Sequence, residues 1–308
     1  MTVVRSLCPR DLVFDEIAGT GIELFELPVD ANLNLAVWYK AADFSSNRAI
    51  VLIHGLTYSS LSVFDLKVPG MPRCDFSAVL RLARAGFHVF AVDMDGYGLS
   101  QARPGNTTLR QYCEDVKAVA GWICGARNLA RPAVLGWSCG ALTAARLASD
   151  PCAPISACIF YGSFWGGGVS GRPDNSRHIT VPLGTRRFNG AEHASLDFRT
   201  PDYFNPLVRA YFVNRALQID PSSPIAFFHH MANPSPLFEP LEIGIPVLAV
   251  RGSDDCSSTS ADMKELLGRV PHGSKKYLEI PRSDHIVHMQ NNRSLFFDGV
   301  VAFLKEFV

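Results

Sequence analysis

The chain has 308 residues, its 29 Lys and Arg balance 29 Asp and Glu, and it is 47% hydrophobic and 19% charged. Such a composition supplies a large buried core, in one large domain with an insertion or in two smaller domains. With no net charge and no concentrated basic face, it gives no reason to expect nucleic acid or an anionic membrane surface as a partner, and no run is long and apolar enough to span a bilayer.

The first stretch, MTVVRSLCPRDLVFDEIAG, meets acidic residues early and lacks the unbroken apolar core of a signal peptide. The eight cysteines are scattered, with no C-x-x-C pair and no metal-like Cys/His spacing. They read as reduced thiols of a cytoplasmic protein without a metal site. No G-x-G-x-x-G opens a βαβ unit, so no dinucleotide cofactor is expected. Oligomeric state is not legible.

In chain order, IELFELPV (22–29) and LNLAVWYK (33–40) alternate in polarity and predict an antiparallel edge at the start of a sheet. AIVLIHG (49–55), HVFAVDMDG (88–96), AVLGWS (133–138), SACIFYG (156–162) and PVLAVRG (246–252) are apolar on both faces, as strands covered by helices on either side are. Helical periodicity falls between and after them, in FSAVLRLARAG (76–86), LRQYCEDVKAVAGWICGA (109–126), ALTAARLAS (141–149) and SLFFDGVVAFLKEF (294–307). This alternation predicts an α/β protein with a mostly parallel sheet.

The interval 163–243 breaks the rhythm. It begins Gly-rich, FWGGGVSG, and turns aromatic and helical through YFNPLVRAYFVNRAL (203–217) and IAFFHHM (225–231). An interval of that length predicts a lid with helices of its own, so the domains expected are a core of 1–162 with 244–308 and a lid of 163–243. Its aromatic residues (Phe164, Trp165, Tyr203, Phe204, Tyr211, Phe212, Phe227, Phe228) either wall an apolar pocket or form a small core beneath the lid. Arg186 and Arg187 either grip a substrate anion or are exposed lid arginines, and His229 and His230 are a second polar oddity there.

Chemistry is signalled at GWSCG, Gly136 to Gly140. A G-x-S-x-G match arises by chance in about one chain in ten of this length, so context carries the reading. An apolar strand runs into Ser138 and a helix starts directly after it, which requires glycine two residues before and two after the serine. The turn aims the Cys139 N–H at the serine oxygen from a helix N-terminus, half of an oxyanion hole. Ser138 as an ordinary helix cap would need neither the flanking glycines nor the strand. The adjacent Cys139 thiol is read as packing, and Trp137 either packs beneath the turn or lines a pocket.

A serine hydroxyl needs a base, and the base a carboxylate to orient it. Downstream, PVLAVRGSDD ends a strand with Asp254 and Asp255, and KYLEIPRSDHIVHM brings Asp284, His285 and His288. The adjacent carboxylates are not separated by spacing alone.

The chain resembles the α/β-hydrolase family, through IHG after the third strand, DGYGLS after the fourth, GWSCG after the fifth, GSDD after the seventh and SDHIVHM after the eighth. The resemblance implies an α/β-hydrolase fold with a helical lid inserted after the sixth strand. It implies Ser138 as nucleophile, Asp255 as acid, with Asp254 as the lesser alternative, and His285 as base. His288 is then a supporting or surface histidine and Asp284 a turn residue. It puts the second oxyanion donor on the Leu56 N–H and gives His54 a bracing role. Where relatives often have a Gly-rich or Pro turn after HG, this chain has LTYSS, which brings Tyr58, Ser59 and Ser60 near the cleft.

The function implied is a serine hydrolase (carboxylesterase or thioesterase) acting on a largely apolar acyl substrate, with Trp137, Tyr58, Phe164 and Trp165 as candidate pocket residues. An acyltransferase or a C–C bond hydrolase would use the same triad, and a slow-turnover ligand receptor would retain it.

Overall fold

The computed structural model describes residues 9–164, 182, 184–225 and 238–308. Its apolar runs form β1 (Ile22–Asp30), β2 (Leu33–Lys40), β3 (Ala49–Ile53), β4 (His88–Val92), β5 (Ala133–Trp137), β6 (Ala157–Tyr161), β7 (Val247–Gly252) and β8 (Lys275–Ile280). Among the described residues these make one eight-stranded sheet in the order β1-β2-β4-β3-β5-β6-β7-β8. β2 runs antiparallel to β1 and β4, and every pairing from β4 to β8 is parallel. The residues of β3, β5, β6 and β7 are all buried, while β1 at the edge is mostly not. That contrast follows from helices covering both faces of the centre but not of the edge.

The helices are α1 (Pro9–Ile17), α2 (Ser60–Phe64), α3 (Ala78–Arg84), α4 (Leu109–Gly125), α5 (Cys139–Ala148), α6 (Ala191–Ser195), α7 (Pro206–Ile219), α8 (Ser260–Arg269) and α9 (Arg293–Phe307). α4 shows why such segments fold. Thr108 accepts the Gln111 N–H and Gln111 answers the Thr108 N–H, a capping box that fixes the start. Leu109, Tyr112, Val116, Val119 and Ile123 then fall on one buried face. Each such fully buried aliphatic side chain contributes roughly 1.5–3 kcal/mol. This face packs with α5 and α8 on one side of the sheet, and α2, α3 and α9 cover the other.

Four helices have no counterpart in the sequence reading, among them α6, five residues of which only Ala194 is buried. α2 is five residues and wholly buried, so it carries no amphipathic period; α1 is nine residues, and α8 buries only Met263, Leu266 and Leu267. Short elements of this kind are held by their surroundings rather than by local pattern.

Between β6 and β7 the described part of the interval holds a ribbon of Arg186–Phe188 against Ser222–Pro224, then α6 and α7 within that ribbon's span. Phe198, Phe204 and Phe212 are buried beneath it, with ring centroids 5.1 and 5.4 Å apart, and Phe212 meets Tyr58 edge-on at 5.6 Å. Asp220, at the end of α7, accepts from the Ser59 N–H and hydroxyl (2.8 and 2.7 Å) and from the Gly98 N–H (2.8 Å). Arg186 donates to the Gly96 carbonyl and the Ser222 hydroxyl, each at 2.9 Å, so its charge ties the ribbon to the loop after β4. Trp165, Phe227, Phe228, His229 and His230 lie outside the described residues. No helix among the described residues is long and apolar enough to cross a membrane.

Candidate active site

β5 and α5 meet at Ser138 in a turn that tolerates no side chain on either flank. A Cβ on Gly136 would stand 2.2 Å from the Gly140 carbonyl oxygen, and one on Gly140 2.4 Å from that of His54. Both are backbone-to-backbone approaches, which no rotamer change relieves. Between them Ser138 is held at φ 57°, ψ −121°, a conformation costing about 1–3 kcal/mol in a residue with a Cβ. Its N–H donates to the Tyr161 carbonyl (2.8 Å) and its carbonyl accepts from the Ala141 N–H (3.0 Å). The hydroxyl caps no N–H of the helix.

Asp255 and Asp254, adjacent in sequence, have different neighbours. Asp255 Oδ2 meets His285 Nδ1 at 2.8 Å, and its Oδ1 accepts the Ser257 and Ser258 N–H groups at 2.8 and 3.1 Å. The buried Arg251 guanidinium holds the Asp255 carbonyl at 3.0 Å. Asp254 instead accepts the Ser253 and Tyr203 hydroxyls at the surface. His285 is fixed from behind by Trp137, whose indole N–H donates to the His285 carbonyl at 3.0 Å.

His288 is not at the surface: it is 1% exposed, its Nε2 lies 2.7 Å from the Val63 carbonyl and its Nδ1 2.9 Å from the Tyr161 hydroxyl. Burial pushes its pKa down to about 4, so it stays neutral and braces the loop.

His54 does comparable work after β3. Its Nδ1 lies 2.7 Å from the Gly55 carbonyl and its Nε2 accepts the Met94 N–H at 3.0 Å. A planar trans peptide carries its N–H opposite its C=O, so pinning the Gly55 carbonyl also orients the Leu56 N–H. That N–H has no acceptor among the described residues. Cys139 is the first residue of α5, directly after Ser138, so its N–H belongs to the N-terminal turn, where the helix dipole favours negative charge.

Ser138, His285, Leu56 and Cys139 line one cavity of about 450 Å³. Trp137, Tyr58 and Phe164 are part of its wall, and the interval between β6 and β7 adds His193, Leu196, Asp197 and Arg199.

The sequence profile of the alpha/beta hydrolase family matches residues 50–297. The chain belongs to that family. A search of curated proteins found no match. Among solved structures, the hydrolase is similar to the enol-lactonase from Burkholderia xenovorans LB400, with 22% identity and a TM-score of 0.63 over 89% of this chain and 97% of that one. It is also similar to the Paleococcus ferrophilus monoacylglycerol lipase (19% identity, TM-score 0.64, 88% and 98% covered). A thermophilic esterase from Thermogutta terrifontis is a third (16% identity, TM-score 0.63, 92% and 98% covered). At these identities the likeness is one of fold.

Electrostatics in the hydrolase centre on His285. Burial opposes its charged form, but the Asp255 charge and hydrogen bond, with smaller contributions from Asp197 and Cys256, outweigh it and raise the pKa to about 9. Asp197 is shifted up to about 6, first by burial, with His285 acting against the shift and Asp255 adding to it.

Asp284 is more than a turn residue. Its carboxylate accepts the Arg199 and Thr200 N–H groups (3.0 and 2.9 Å), the Thr200 hydroxyl (2.9 Å) and the Gln290 amide (3.0 Å). It thereby clamps the segment carrying Asp197 to the loop carrying His285. Neither this clamp nor the Trp137 tie has a sequence signature, since each joins residues more than eighty positions apart.

Proposed function

We propose that the protein is a serine hydrolase that cleaves a carboxylic ester or thioester of a largely apolar acyl group through an acyl-enzyme. In this reading Ser138 Oγ attacks the acyl carbon and its proton passes to His285 Nε2, while Asp255 holds Nδ1 and stabilises the imidazolium. The Leu56 and Cys139 N–H groups take the oxyanion. His285 then protonates the departing alcohol or thiol, and a water deprotonated by His285 releases the acid and restores Ser138. Residues 163–243 act as a lid, a role supported by the five cavity residues they supply, Phe164, His193, Leu196, Asp197 and Arg199. Leu56, Trp137, Phe164 and Leu196 give the cavity its apolar character and favour an acyl chain.

The observation that carries the reading is the strained Ser138 sharing a cavity with a histidine already paired to a buried carboxylate at 2.8 Å. Intact-mass spectrometry after fluorophosphonate treatment tests it. One adduct on the wild type and none on Ser138→Ala is the expected result. No adduct on folded wild-type protein would overturn it and favour a ligand receptor of slow turnover.

A further inference from the structure

The cavity contains two polar groups that the hydrolytic scheme leaves unused. Asp197, half-buried on the segment after α6, lines the cavity, and its carboxylate has no hydrogen-bond partner among the described residues. Tyr58, in the loop after β3, lines the same cavity and is 1% exposed, and its buried hydroxyl has no hydrogen-bond partner among the described residues. Asp197 is close enough for its charge to act on the phenol of Tyr58. A buried polar group left unpaired costs about 1–3 kcal/mol, which applies to the Tyr58 hydroxyl; with the half-buried Asp197 carboxylate lining the same cavity, and the two held by the ring of Phe212 and by the Asp284 clamp, they mark a place prepared for a ligand.

We propose that Asp197 and Tyr58 form a subsite for a hydroxyl group of the substrate, so that the preferred acyl compound is hydroxylated rather than purely aliphatic. The inference deepens the hydrolase reading and rests on it. A carboxylate only accepts hydrogen bonds and a phenol can donate one, while an alcohol does both. One alcohol therefore satisfies the pair, donating to Asp197 and accepting from Tyr58. An ammonium group has no lone pair for the Tyr58 proton, and the Arg187 charge that acts on Tyr58 and His193 opposes a cation there.

The test uses p-nitrophenyl esters of six-, seven- and eight-carbon acids, each with a terminal methyl, hydroxyl or ammonium group. Wild type is expected to favour the hydroxyl form over the methyl form in kcat/KM by about tenfold at one chain length or more, the size of a single well-made hydrogen bond to a charged partner. Tyr58→Phe and Asp197→Leu should each bring that ratio close to one, while Asp197→Asn, which keeps an acceptor, retains most of it. Because Asp197 also acts on His285, its variants can shift every rate together, and the ratio between substrates cancels that effect. Binding of the same esters to Ser138→Ala, followed by thermal shift, reads the preference without turnover.

No preference for the hydroxyl form in either assay, or a preference unchanged in both Tyr58→Phe and Asp197→Leu, overturns the proposal. An ammonium preference abolished by Asp197→Asn replaces it with a cation subsite. Methyl esters hydrolysed without discrimination sink the subsite alone, whereas no hydrolysis and no labelling of Ser138 sinks the hydrolase reading.

Discussion

Carboxylates are fully buried in the scaffold beneath the cavity and half-buried in the cavity wall, and they are treated differently. Asp93 accepts the Trp38 indole N–H and the Ser60 and Leu99 N–H groups, and Asp284 accepts four donors. Asp197 in the wall accepts none from the described residues. The scaffold groups are saturated because an unmet buried donor or acceptor weakens the fold directly. A wall group that accepts nothing from the protein keeps its capacity for something else, a pattern expected at binding sites.

The comparison breaks if scaffold and wall respond alike to substitution. The largest effect is expected at Ser138→Ala, which should lower kcat/KM by about a thousandfold or more and leave the melting temperature unchanged or slightly raised, because the serine side chain makes no cap bond. Asp93→Ala should do the reverse. It strands three donors, so chemical denaturation should show a loss of roughly 3–5 kcal/mol, with turnover per folded molecule little changed.

A pH profile sharpens the contrast. His285 must be neutral to accept a proton, so kcat/KM should climb about tenfold per pH unit until the pH passes a His285 pKa lifted from 6.5 toward about 9. The sign for stability is opposite. A histidine with a raised folded pKa contributes its full increment below the unfolded value near 6.5, and that increment is lost as pH rises toward about 9. Activity and this part of stability should therefore move in opposite directions across that window. Asp255→Asn should shift the activity rise to lower pH and lower its plateau. The smallest effect is expected at Asp254→Asn, whose carboxylate meets only Ser253 and Tyr203; kcat/KM should stay within about twofold.

Much of the scaffold was legible because it is written locally. The strands are short apolar runs, α4 carries a capping box and a period of 3.6, and the elbow is a strand, Gly136, Ser138, Gly140 and a helix in immediate succession. Spacing alone left Asp254 and Asp255 open, and the family resemblance favoured Asp255, the residue that meets His285 at 2.8 Å. The roof was less legible. Asp197 and Arg199 lie in a stretch without strong period, and what positions them is Asp284, 85 residues away from Arg199. Contacts of that separation leave no trace in composition or period. The aromatic residues of the interval allowed two readings, and the structure divides them: Phe164 lines the cavity, while Phe204 and Phe212 join Phe198 in a small core.

The elbow is fixed by main-chain atoms approaching main-chain atoms at 2.2–2.4 Å from where a Cβ would stand. Nearly any neighbouring side chain is compatible with it, provided Gly136 and Gly140 have none. Such a turn constrains two positions of the sequence and leaves the others to be set by what packs around it. The cavity wall from His193 to Arg199 is under no such backbone constraint, so a single side chain changed there alters the space beside Ser138 without disturbing the turn that holds it.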